Sequence, residues 1–156
     1  MGALLQRSRG DALPSDPASV VLVPMNGPAG TAAVARAVRL AADGKVAVVA
    51  PLPIHGSSFG FPNPGLLPNR QEKEEARRVV EGTIRSLERL GAKADGQITA
   101  TRRPAKTIAS AARRRGARSV VIDTAPVGAF RQMIDGDLAA AVRRRLGRNT
   151  LVEAAQ

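Results

Sequence analysis

Between Arg118 and Glu153 a β-branched run ends in Asp123, a loop follows, and Gly136-Asp137 opens a helical pattern. A glycine at a helix start leaves backbone N–H groups free beside the positive end of the helix dipole, an arrangement that attracts phosphate. Asp137 puts a carboxylate at that point, and Asp123 puts another at the end of the preceding run. The chemistry on offer is anion recognition whose donors are opposed by negative charge. Asp123, Asp135 and Asp137 have no nucleophile or base beside them in sequence, so they read as turn and cap acids rather than a catalytic set. His55 is the sole histidine, in a Pro/Gly segment without carboxylate neighbours, and reads as an ordinary loop residue rather than a metal ligand. No G-x-x-x-x-G-K-[ST] and no G-x-G-x-x-G run occurs, which argues against a P-loop or dinucleotide enzyme.

The elements that must carry these residues alternate. Ser19 to Val23 is a short apolar run stopped by Pro24, a strand buried on both faces. Thr31 is a candidate N-cap for a helix with Val34, Ala37, Val38 and Ala41 inward, ended by Gly44. Lys45 to Ala50 reads as a second buried strand, and the prolines and glycines from Pro51 to Asn69 as one long loop. Gln71 to Leu90 carries acids in its first turn and an apolar stripe through Ala76, Val79, Val80, Thr83, Ile84, Leu87 and Leu90, the clearest helix of the chain. Lys93 to Thr99 reads as a polar edge strand, and Pro104 opens a helix with Ile108, Ala111 and Ala112 inward. Ser119 to Asp123 is again strongly apolar, Asp137 to Leu146 a last helix and Thr150 to Ala154 a last strand.

Strands alternating with helices predict an α/β class: a single doubly wound domain with a five-stranded, mostly parallel sheet and helices on both faces. In such sheets ligands bind beyond the carboxyl ends of the strands, where strand order reverses. The first and fourth strands are the most apolar and are expected side by side at the centre, with Pro24 to Gly30 and Thr124 to Gly136 lining the crevice.

At 156 residues and 44% hydrophobic content the chain suits one domain, placed at 19–156 behind a disordered lead-in over 1–18. It has no cysteine, which excludes disulfides, thiolate nucleophiles and sulfur-ligated metals and fits a reducing, cytoplasmic setting. No run has the length or apolarity of a signal peptide core or a membrane helix, so no membrane partner is expected. The net charge is +11, and from Thr101 onward twelve Arg or Lys face four acids. That field favours acidic partners. Compositional bias towards Arg explains it equally well, and Arg113-Arg114-Arg115 and Arg143-Arg144-Arg145 read as solvated helix ends whose cations suit the dipole. With no Trp or Tyr and only Phe59, Phe61 and Phe130, stacking on single-stranded nucleic acid is poorly supplied. Arg102 and Arg103 precede a helix start, where a regulatory anion or simple tolerance would account for them.

Val21-Leu22-Val23-Pro24-Met25-Asn26-Gly27, the long loop, the charged second helix, Pro104 and Gly116-Ala117-Arg118-Ser119-Val120-Val121-Ile122 resemble, in that order, the universal stress protein family. The resemblance covers about Val20 to Glu153. It implies a Rossmann-like fold and, for nucleotide-binding members, Gly, two residues, Gly, nine residues, then Gly followed by Ser or Thr. Laid on this chain without a gap, that frame falls on Asp123, Pro126, Gly136 and Asp137, so one glycine of the three remains. Asp123 and Pro126 add bulk and remove a donor where a triphosphate needs close N–H approach, and Asp137 replaces a hydroxyl with an acceptor. Two carboxylates near a polyanion would outweigh one or two surviving hydrogen bonds. Pro24, Asn26 and Gly136 are the remnants of the crevice, Asn26 standing where the resemblance places an Asp that contacts the nucleoside. ATP or AMP binding is therefore expected to be weak or absent, with no other cofactor and no metal.

The resemblance also implies a homodimer, for which the uncovered edge of Thr150 to Glu153 is the expected seam. The expected function is that of a noncatalytic, cytoplasmic regulatory or stress-response protein. The alternatives are a polyanion or nucleic-acid binder using the Arg-rich C-terminal third, an ATP-binding member of the same family, and an enzyme hydrolysing or transferring nucleotides.

Overall fold

The computed structural model describes residues 16–25, 27–54, 67–123 and 138–155. Five strands form one sheet: β1 (Val20–Val23), β2 (Lys45–Pro53), β3 (Lys93–Thr101), β4 (Ser119–Asp123) and β5 (Leu151–Ala155). Their order is β3-β2-β1-β4-β5, and every pairing is parallel. The helices are α1 (Thr31–Ala41), α2 (Arg70–Arg89) and α3 (Pro104–Arg115), with α4 over 138–146.

Each strand residue faces the side opposite to its neighbours, so an apolar run with no polar alternation needs cover on both faces. β1 shows this directly. Val20 and Leu22 pack with Ala33, Val34 and Ala37 of α1 and with Val80, Ile84 and Leu87 of α2. Val21 and Val23 pack with Ile108, Ala111 and Ala112 of α3 and with Leu138, Ala139 and Val142 of α4. β1 and β4 are neighbours, Val23 level with Ile122, and β3 is an edge, as their compositions predict.

The boundaries shift for local reasons. β2 continues through Pro51 to Pro53, where a loop was expected. Its pairing with β1 stops at Val48, while that with β3 runs on to Thr101. Ile54 N–H donates to Thr101 O at 3.0 Å, so by two-residue alternation the nitrogens of Pro51 and Pro53 face the vacated β1 side, where a missing donor costs nothing. The N-cap of α1 is Gly30 rather than Thr31, and the helix ends at Ala41, with Ala42 at φ 51°. Gly44 has a different task from ending that helix. A Cβ there would lie 1.8 Å from Ser19 Oγ. α2 starts from a capping box in which Asn69 Oδ1 accepts from Glu72 N–H at 2.8 Å and Glu72 Oε2 accepts from Asn69 N–H at 2.9 Å.

Candidate functional site

The expected crevice lies beyond the carboxyl ends of β1 and β4. Pro24 is buried directly after β1, and Asp123 is the last residue of β4, 3% exposed. Asp123 Oδ2 accepts from Gly30 N–H at 3.0 Å. Gly30 caps α1, so a carboxylate from β4 occupies the positive end of that helix and satisfies one of its free donors. The neighbouring amide is also taken: Ala29 N–H donates to Thr83 Oγ1 at 3.0 Å, and the Thr83 hydroxyl donates to Val79 O at 2.8 Å. A Cβ on Gly82 would come within 3.2 Å of Pro28 Cγ, so α2 lies close along this turn. The loop after β1 is therefore fastened from two sides, by β4 through Asp123 and by α2 through Thr83.

Of the residues singled out from sequence, Pro24 and Asp123 come together at this mouth. Asn26, Pro126, Gly136 and Asp137 lie outside the described residues, as do His55, Phe59, Phe61 and Phe130. Thr83, one position of the apolar stripe of α2, is a further participant through its hydroxyl. Its signal was a lone hydroxyl among Val79, Val80, Ile84 and Leu87. Chemically the arrangement caps a helix and holds negative charge between the central strands. Among the described residues no His, Cys, Asp and Glu form a group of three fit to hold a metal ion.

Of the two arginine triplets only Arg115 leaves the expected solvated face; the other five arginines are exposed. Arg115 is 2% exposed, and its two Nη atoms bind both oxygens of Asp95 on β3, at 2.9 and 2.5 Å. Its Nε donates to Asp16 O, while Lys45 Nζ lies 3.4 Å from Asp95 and 3.5 Å from Asp16. Asp16 to Ser19 thus join the packed structure: Ala18 is buried, its N–H donates to Arg115 O at 3.0 Å, and Ser19 N–H donates to Lys45 O at 2.8 Å. Arg114 donates to Gln97 Oε1 at 2.8 Å, and Arg113 to Arg145 O. Elsewhere, Arg36 of α1 grips Glu153 of β5 with two bonds, at 2.6 and 2.7 Å. The Arg36 guanidinium, hydrogen-bonded to it, holds the Glu153 carboxyl below the usual carboxylate range.

A five-stranded parallel sheet in the order β3-β2-β1-β4-β5 with helices on both faces defines the class of doubly wound α/β domains. Within that class the sequence model of the universal stress protein family matches residues 18–152, and the chain belongs to that family. The structure is similar to a universal stress protein from Archaeoglobus fulgidus, with a TM-score of 0.62 and 18% identity over 90% of this chain and 95% of that one. It also resembles the universal stress protein from Archaeoglobus fulgidus in complex with dAMP, with a TM-score of 0.59 and 19% identity over 88% and 98% of the two chains. A third similar structure is a universal stress protein in complex with cAMP, at 0.58 and 17% over 90% and 99%. No curated protein matches the sequence. Among the described residues no helix is long and apolar enough to cross a membrane.

Proposed function

We propose that this member of the family is a noncatalytic, cytoplasmic regulatory protein of the stress response whose nucleotide crevice no longer takes ATP. The observation that carries this reading is the Asp123 carboxylate seated on the Gly30 amide. A phosphate brought to the same helix end would meet that charge at close range, where like charges about 4 Å apart repel by about 4 kcal/mol at a protein-surface dielectric. In the sequence, Asp137 and Pro126 stand where the family frame has a hydroxyl residue and a glycine, a replacement that disfavours phosphate on residue type alone. The complexes of similar proteins with dAMP and cAMP make a nucleotide the ligand to test first. Among the described residues the site offers no nucleophile with a base beside it, which supports a role without turnover. We further propose a homodimer paired along the outer edge of β5, where Leu151 is 44% exposed.

Calorimetric titration with ATP and AMP tests the crevice, and native mass spectrometry of the same preparation reads copy number and any retained ligand. The expected result is no measurable heat of ATP binding and a two-copy species without nucleotide. Replacing Asp123 and Pro126 by Gly and Asp137 by Ser should raise the affinity for ATP. Micromolar ATP binding by the unaltered protein would overturn the reading.

A further inference from the structure

The opposite end of the sheet carries a cluster of exposed arginines. Arg118 stands just before β4, Arg148 lies between α4 and β5, and Arg143 and Arg144 belong to the end of α4. All four are exposed and line one open cleft of about 660 Å3 whose floor includes Val152 at the start of β5. Among the described residues no carboxylate lines it. Arg143 Nε donates to Val152 O at 3.1 Å, which fixes one guanidinium against the sheet edge before any ligand arrives. Arg113 donates to Arg145 O, so both arginine triplets meet at this end of the molecule.

We infer that this cleft is a docking site for the phosphate backbone of double-stranded nucleic acid, bound without regard to sequence. Four guanidiniums with no interspersed acid are a phosphate-binding set, because each presents planar donors that match phosphate oxygens. A small phosphorylated metabolite would require an enclosed pocket, and this cleft is open along its length. A single strand would require aromatic platforms for its bases, and the chain has no Trp or Tyr and three Phe, all far in sequence from the cleft's arginines except Phe130. Backbone contact along a duplex asks for cations alone. The site is separate from the Asp123 crevice; it shares Leu151 and Val152 with the β5 edge proposed as the dimer seam, so a duplex held there and edge pairing of two copies compete for the same surface.

The test is fluorescence anisotropy with a labelled mixed-sequence DNA duplex, repeated over a range of salt. Three proteins are compared: the unaltered chain, Arg118, Arg143, Arg144 and Arg148 all changed to Gln, and a control of equal charge with Arg39, Arg70, Arg89 and Arg102 changed to Gln. The cleft variant should lose at least tenfold in affinity, and its slope of log K against log salt should fall by about one per phosphate contact removed. The control should retain both. A double variant, Arg144→Gln with Arg148→Gln, leaves the Arg143 bond to Val152 intact and should lose about half the slope of the fourfold change, which separates binding from any loss of folding. Equal losses in the cleft variant and the control would show that net charge alone is at work and overturn the site. Tighter binding of a single strand or of inorganic polyphosphate than of the duplex would overturn the assignment of the ligand.

Discussion

Thr83 shows how one hydroxyl can fasten a loop. Its side chain is fully buried, accepts from Ala29 N–H and returns its own proton to Val79 O, so neither of its polar functions is wasted. Valine has the same shape without the hydroxyl, and Thr83→Val would leave the Ala29 amide buried with no acceptor. An unpaired buried donor costs about 1–3 kcal/mol. The expected result is a fall in the urea midpoint of that size with an unchanged m-value, and near-complete recovery in Thr83→Ser. A neutral Thr83→Val would mean that water or another acceptor serves Ala29. Asp123 was legible in the sequence as a charge opposed to phosphate, since its type and its place after an apolar run sufficed. The amide that it covers was not legible. Gly30 lies 93 positions away, and only the pairing of β1 with β4 brings the two together.

The elements themselves were legible wherever periodicity and breakers agreed. The stripe of α2, the proline at the start of α3 and the unbroken apolar runs of β1 and β4 each have one physical solution. Boundaries were read less well where a rule depends on the neighbouring strand: prolines in β2 are harmless only because β1 has already ended there. The two arginine triplets are identical as sequence and unlike as structure. Arg115 lies on the turn of α3 that faces β3, so packing carries it inward to Asp95. Arg143 to Arg145 remain exposed. Breaking a buried pair from one side costs far more than replacing both partners, because it strands a charge that had given up its water. Arg115→Met should therefore destabilise by about 3 kcal/mol or more, partly relieved by Lys45 beside Asp95. Arg115→Met with Asp95→Leu should regain most of that loss in a denaturant melt. A single variant as stable as the unaltered protein would show that the pair holds nothing together.

At the scale of the whole molecule the sheet has two electrostatic ends, a carboxylate at the mouth of its central strands and arginines where β4 and β5 begin. Arg36 and Glu153, 117 positions apart, join the first helix to the last strand. Glu153 is 29% exposed at its side chain, so the pair is screened but bidentate, and its hydrogen bonds from Arg36 lower the carboxyl's folded-state value. A lowered value in the folded state means that the unfolded chain takes up the proton first as acid is added. The stabilisation is then fully present above the ordinary glutamate value of about 4.3 and is lost as pH falls through the depressed folded value. Glu153→Gln removes the charge while keeping the length. The difference in urea midpoint between the two proteins should be constant from about pH 7 to pH 5, then narrow progressively below about pH 4. Arg36 stays charged throughout that range, so the change belongs to the carboxyl alone. A difference that persists unchanged in strong acid would assign the stabilisation to packing of the Glu153 stem on α1 instead of to its charge.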